Sequence, residues 1–141
     1  MEILQNTCLI SAVLAWAVAQ LCKLLIELIA HHRLDWERLT GDGGMPSGHS
    51  ATALAAAALL QYGAASFQFA ISAVLAIIVM HDAMGVRWQA GQHAHTINEL
   101  LLKLSDTPPE QLLEEFLGHT PLQVACGALL GAAVAILYSL P

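Results

Sequence analysis

Three long apolar runs limit what this chain can fold into more than any other feature of its sequence. They cover about residues 6–30, 50–85 and 122–140. A helix rises 1.5 Å per residue, so roughly 20 apolar residues cross a hydrocarbon layer of about 30 Å. Charged residues make up only 11% of the 141 residues, less than half of the roughly 25% found in soluble domains. The sequence therefore predicts one all-α domain, residues 1–141, embedded in a membrane.

The first run is predicted to be a transmembrane helix. A signal peptide, the alternative, begins with a basic segment, whereas residues 1–7 contain Glu2 and no Lys or Arg. Gln20, Lys23 and Glu27 follow at spacings of three and four, which places them on one helical face toward protein or a polar cavity. A Lys23 that snorkels to the interface is the alternative interpretation.

The second run is too long for one helix and is predicted to break at Gln61-Tyr62-Gly63. The two resulting helices are short for full spans, so we expect tilting or partial insertion. The polar stretch 86–118 carries a helical apolar stripe, typical of an interfacial amphipathic helix: Val86, Ala90, Ile97, Leu100, Leu101 and Leu104. Thr107-Pro108-Pro109-Glu110 is predicted to end that helix and to begin a short acidic one. The expected fold is a polytopic helix bundle with about four spans plus this interfacial helix.

The basic residues predict the orientation in the membrane. All of them lie in or next to the segments 31–49 and 86–120, namely Lys23, Arg33, Arg38, Arg87 and Lys103. Because loops rich in Lys and Arg stay in the cytoplasm, we expect both segments there and both termini outside, in the plasma membrane.

The net charge of −6 gives no basic surface for nucleic-acid binding. The three cysteines lie inside apolar runs, where they are typical of small buried residues rather than of a disulfide framework. No metal-binding or nucleotide-binding signature is present, and the histidine pairs 31–32 and 93–95 lack the spacing of a metal site. We therefore predict no metal and no cofactor.

A glycine-rich segment, residues 40–50, precedes an Ala-rich helix and contains Ser47, Gly48 and His49. Backbone N–H groups and the positive end of the dipole at a helix N-terminus suit a phosphate. By itself such a segment is more often a plain loop and cap. The histidine at the start of the helix favours a functional interpretation.

A second histidine occupies the same kind of position in Gly118-His119-Thr120-Pro121, again directly before an apolar helix. Both helices are expected to start on the same side of the membrane. One neutral imidazole can then attack phosphorus while the other, protonated, gives a proton to the leaving oxygen.

These motifs resemble a known family. Met45-Pro46-Ser47-Gly48-His49-Ser50 and Gly118-His119-Thr120-Pro121 resemble two signatures of the type 2 phosphatidic acid phosphatase and vanadium haloperoxidase superfamily. The segment 79–87, with Gly91 after it, is similar to the divergent branch of small bacterial and plant membrane proteins. The resemblance implies an acid-phosphatase-like phosphoric ester hydrolase that acts without metal on a lipid phosphomonoester or diphosphate.

The resemblance also implies roles for single residues. His119 would be the nucleophile that forms a phosphohistidine, and His49 the general acid for the leaving alcohol. Ser47 and the Gly48 amide would hold phosphate oxygens, and Lys23 would match the lysine of the first motif.

The chain also departs from the superfamily pattern. The acidic residue expected four positions after the nucleophile is Gln123, and the arginine expected six positions before it is Leu113. Arg33 follows Lys23 at ten residues rather than seven. Arg87 is predicted to be the replacement clamp, because a guanidinium matches phosphate geometry. Asp82 is expected to pair with Arg87 or Lys23, or else to fix helix register.

Two alternatives to the enzyme stay open. The Gln123 and Leu113 substitutions favour a membrane scaffold or binding protein that keeps the phosphate pocket without turnover. A small transporter subunit is the second alternative, with a path lined by Gln20, Lys23, Glu27 and Asp82, and it would require a homo-oligomer. The expected partners are membrane lipid and a lipid-phosphate substrate.

Overall fold

The computed structural model describes residues 5–31, 47, 49–104 and 111–139, and the side chains of residues 5–29, 47, 52–104 and 111–139. Within these residues there is no β-strand, and the all-α class is confirmed. The helices are α1 (Thr7–His31), α2 (His49–Tyr62), α3 (Phe67–Met84), α4 (Val86–Leu104) and α5 (Pro121–Ser139).

Local signals in the sequence explain where the helices begin and end. Asn6 caps α1, since its Oδ1 accepts a hydrogen bond from the Leu9 amide at 3.1 Å. Gly63 ends α2 with a φ of 81°, a left-handed conformation that favours glycine. Ser66 caps α3 by accepting from the Phe69 amide at 3.2 Å. The predicted break at residues 61–63 is therefore confirmed.

A single residue, Gly85, separates α3 from α4. Its amide donates to the His81 carbonyl at 2.8 Å, and its own carbonyl accepts from the Gln89 amide at 2.9 Å. The backbone leaves helical geometry only at Gly85, with φ −104° and ψ −87°. α3 and α4 thus form a nearly continuous helix with one interruption.

Small residues make up the core of the bundle. α2 lies at its centre and packs against α1, α3 and α5. Alanines fill the contacts, and the most buried are Ala15, Ala19, Ala53, Ala57 and Ala135, each 0% exposed. Small side chains let helix backbones approach closely, which is how helices associate in lipid.

Large apolar side chains point outward instead. Examples are Leu21, Ile29, Phe67, Ile77 and Leu129, all exposed. Among the residues that the structure describes, three helical segments are long and apolar enough to cross a membrane: Thr7–Ile29, Phe67–Leu104 and Pro121–Ser139. A shorter apolar segment is Thr52–Tyr62. This agrees with the predicted membrane bundle of about four spans.

α4 contacts only α3 among the described helices and packs instead against residues 111–118, which we call the return segment. Gly91 lies so close to it that a Cβ there would be 2.6 Å from the Glu115 carbonyl oxygen. The predicted apolar stripe lies on another face of α4 and is exposed, as an interfacial helix requires: Val86, Ile97, Leu100, Leu101 and Leu104.

The expected short acidic helix after residue 110 is wrong over the part that the structure describes. Residues 112–117 are not helical. Both the amide and the carbonyl of Leu113 bond to the Asn98 side chain, at 2.9 and 2.8 Å. A partner on another element therefore satisfies backbone groups that a helix would pair internally.

Candidate functional site

The two histidine motifs meet at the start of α5. The Ser47 amide donates to the Gln123 carbonyl at 3.3 Å, and Gln123 comes four residues after His119. The Ser47 backbone also lies against Gly127, where a Cβ would collide with the Ser47 carbonyl. Ser47 is only 6% exposed. Two segments more than 70 residues apart in sequence are therefore in direct contact.

His119 is held between the end of α3 and the start of α5. Its amide donates to the Ala83 carbonyl at 3.0 Å, and the residue is 8% exposed. Gly118 before it has a φ of 80° and faces the backbone of Arg87 and Trp88, where a Cβ would collide with the Trp88 amide. Glycine is required at position 118 both for its conformation and for this close approach.

His49 is the first residue of α2, so its backbone lies two residues from Ser47. The His49 side chain is outside the described residues, as are Gly48 and Arg33. What the structure places together is therefore Ser47, the first turn of α2 and the first turn of α5.

Gln123 has a role that sequence reasoning missed. Its Oε1 accepts from the Thr120 amide at 2.9 Å, and Thr120 Oγ1 accepts from the Gln123 amide at 3.3 Å. This is a capping box at the N-terminus of α5, with Pro121 at the first helical position. The sequence Thr120-Pro121-Leu122-Gln123 has the residue types of such a capping box. The side-chain oxygen of Gln123, at the position where the superfamily has an acidic residue, thus bonds to the helix end.

We expect Gln123→Ala to lower the free energy of unfolding by about 1 kcal/mol, the usual effect of losing a cap. Gln123→Glu retains the acceptor and should unfold near the wild-type temperature. Thermal unfolding of both variants in one detergent tests this. Equal destabilisation by the two substitutions would contradict the capping role.

Arg87 and Asp82 form an ion pair, with Arg87 Nε 2.9 Å from Asp82 Oδ2. The predicted pairing with Arg87 is confirmed. The two side chains are 51% and 42% exposed, and such exposed pairs contribute at most about 1 kcal/mol. The pair holds the guanidinium near the Arg87 backbone, which lies against Gly118. The Arg87 backbone thus lies against the residue that precedes His119.

Lys23 lies at the same end of the bundle. Cys8 near the start of α1 contacts Gln61 near the end of α2, with Sγ 3.5 Å from Oε1, so the two helices run in opposite directions. From this contact, Lys23 is about 22 Å along α1, and His49 is about 18 Å back along α2 in the same direction. Lys23 therefore lies within about one helical turn of the level at which α2 starts.

A polar cluster between α4 and the return segment was not found from the sequence. Asn98 is 2% exposed, and its Nδ2 also donates to Glu115 Oε1 at 2.7 Å. His95 Nδ1 lies 2.7 Å from Glu115 Oε2. Hydrogen bonds from Asn98 first and then from His95 hold the pKa of Glu115 below its ordinary value. The sequence signal for this cluster was the amide side chain of Asn98 on an amphipathic helix, since such a group requires hydrogen-bond partners once it is buried.

No group of three or more His, Cys, Asp or Glu side chains within the described part of the chain is arranged to hold a metal ion.

Residues 4–134 match the model of the Divergent PAP2 family. The chain belongs to this family. It is 40% identical to the uncharacterized membrane protein YuiD of Bacillus subtilis (strain 168). The alignment spans 146 residues and covers 93% of this chain and 92% of that protein. No solved structure matches the chain.

Membership in the Divergent PAP2 family confirms the resemblance seen in the sequence. The matched region contains Lys23, both histidine motifs and the Asp82–Arg87 pair. The elements that form the candidate site thus all belong to the family domain.

Proposed function

We propose that the protein is a metal-independent phosphatase of lipid phosphates, with its reaction centre where α2, α3 and α5 meet. The observation that carries the proposal is the contact of the Ser47 backbone with Gln123 and Gly127. It joins a glycine-rich phosphate-binding motif to the helix start that presents His119. Both helix N-termini then direct partial positive charge at one place.

In this proposal an imidazole nitrogen of His119 attacks the phosphorus atom. The bond from phosphorus to the alcohol oxygen breaks, and His49 gives that oxygen a proton. Water then attacks the phosphohistidine, with His49 accepting the proton, and inorganic phosphate leaves.

Charge on the phosphoryl oxygens has to be stabilised during both steps. Ser47, the Gly48 amide, Lys23 and Arg87 are the groups assigned to this. The position of Lys23 near the level of the α2 start and of Arg87 beside Gly118 supports the assignment. Because a site at one end of a membrane bundle lies at headgroup depth, the substrate class is a lipid. By the distribution of basic residues, that end faces the cytoplasm of the plasma membrane.

A binding protein without turnover is the second candidate, and the Gln123 capping box favours it. A carboxylate that stabilises the imidazolium is worth about 10⁴ in rate in a Ser-His-Asp enzyme. Here the corresponding side chain is a neutral amide whose oxygen caps α5.

The test is phosphate release from phosphatidic acid and a lipid diphosphate in detergent with EDTA present. We expect the wild type to be active, His119→Ala to be inactive, and His49→Ala to lose about 10²–10⁴-fold, the usual contribution of a general acid. His93→Ala is the matched control, since His93 is an exposed histidine on α4.

Equal rates in all four proteins would reject the catalytic assignment. No release by any of them, with vanadate bound by the wild type and not by His119→Ala, would identify the binding protein instead.

A further inference from the structure

A cavity adjoins the candidate reaction centre and is used by none of the steps above. It is an open cleft of about 450 Å³ between α4 and the return segment, within the range of small-molecule sites. Its wall includes Trp88, Gln92 and His95 on one side and Glu115 on the other. It ends at Thr120 and Gln123, the first turn of α5. A molecule in this cleft therefore lies next to the residues that flank His119.

The described lining of the cleft disfavours an anion. It contains neither Lys nor Arg, the side chains that usually bind phosphate in proteins. At the first turn of α5, the amides of Thr120 and Gln123 already bond within the capping box. A second phosphate group of a substrate would find no such side-chain partner here.

The lining also disfavours an ammonium group. Glu115 is its acidic residue, and both carboxylate oxygens are already bonded, Oε1 to Asn98 and Oε2 to His95, at 2.7 Å each. An amine would have to compete with the bonds that hold the return segment in place.

What remains in the cleft is neutral hydrogen-bonding chemistry beside aromatic rings. Gln92 contributes a side-chain amide, Trp88 an indole and Phe116 a phenyl ring. Gln123 contributes its amide nitrogen, since its oxygen caps α5. Amides donate to and accept from hydroxyl groups, and aromatic faces cover the apolar C–H surface of a polyol.

We propose that this cleft binds a neutral, hydroxyl-rich headgroup, so that the preferred substrate is a lipid carrying its phosphomonoester on a polyol. This rests on the proposed function, because the cleft then holds the leaving alcohol while the phosphate lies at the start of α5. The leaving group is the headgroup hydroxyl, which takes the proton from His49.

One arm of the test measures selectivity. Hydrolysis is compared between a lipid with a phosphorylated glycerol or inositol headgroup and phosphatidic acid, which has no headgroup beyond its phosphate. We expect the wild type to prefer the polyol lipid about tenfold in kcat/KM, the effect of one to two hydrogen bonds. Gln92→Leu should bring the ratio of kcat/KM values close to one by raising KM for the polyol lipid. Gln89 is an exposed glutamine outside the cleft, so Gln89→Leu should keep the wild-type ratio. No preference in the wild type, or the same ratio in both variants, would overturn the proposal.

The other arm measures binding without turnover. In Trp16→Phe/Trp36→Phe, Trp88 is the remaining tryptophan, and its fluorescence is followed in micelles of phosphatidylglycerol, phosphatidylinositol or phosphatidylethanolamine. A response to the first two lipids alone supports the proposal even if no lipid phosphate is hydrolysed. A response to phosphatidylethanolamine as well, or to none of them, overturns it. Titration with free inositol phosphate then distinguishes a lipid from a soluble ligand. If Trp88 fluorescence responds at a concentration similar to that of phosphatidylinositol, the cleft binds a soluble ligand of the same chemistry.

Discussion

Replacing Gly127 by alanine is expected to separate the two histidine motifs and to abolish phosphate release. A Cβ at position 127 would collide with the Ser47 carbonyl oxygen and lie 2.6 Å from the Ser47 nitrogen. These are backbone atoms, so no rotation of a side chain relieves the contact. Overpacking of this kind costs about 1–3 kcal/mol, and here its relief displaces the residue assigned to phosphate binding.

The sign of the change in unfolding free energy distinguishes a glycine in contact with Ser47 from an exposed glycine. Alanine stabilises an exposed helix interior by about 1 kcal/mol relative to glycine. Thermal unfolding in detergent should show destabilisation at position 127, whereas Ala125→Leu, on an exposed part of α5, should change little. A more stable Gly127→Ala protein would mean that Ser47 does not lie on α5.

Asn98→Ala is expected to release the return segment from α4. The substitution removes three hydrogen bonds and leaves the amide and carbonyl of Leu113 without these partners. At about 1 kcal/mol for each bond, the loss is roughly 2–4 kcal/mol. The segment leads through Gly118 to His119, so we also expect a large decrease in phosphate release.

Hydrogen exchange distinguishes this from general unfolding. Amides of residues 111–118 should exchange faster in Asn98→Ala, while those of α2 and α5 stay protected. Thr96→Ala is the control, because Thr96 Oγ1 donates to the Gln92 carbonyl of the same helix rather than to residues 111–118. Unchanged exchange over residues 111–118 would show that Asn98 does not hold the segment.

The main helices could be predicted because their signals are local. Long apolar runs predict α1 and α5. Gly63 and Ser66 mark the turn between α2 and α3, and the apolar stripe that begins at Val86 predicts α4. That the imidazoles of His49 and His119 flank one pocket stays a prediction from a resemblance and from topology; the structure shows the Ser47 backbone in contact with the first turns of α5.

The return segment could not be predicted in this way. Its acidic residues are good helix formers, but its conformation depends on Asn98, Gly91 and the positive φ of Gly118, all effective only once α4 lies beside it. Tertiary contacts therefore decide the conformation of this segment. The pairing of Asp82 with Arg87 instead depends on the local backbone at Gly85, which separates the two residues.

The length of α3 has a consequence for the whole molecule. Its 18 residues rise about 27 Å, close to the thickness of the hydrocarbon layer, and the interruption at Gly85 follows at once. The length of α3 therefore sets the depth in the membrane at which α4 and His119 lie. Each residue inserted between Phe67 and Gly85 would move the proposed phosphate site about 1.5 Å along the axis of α3 and rotate it by about 100°, which we expect to lower hydrolysis of lipid phosphates.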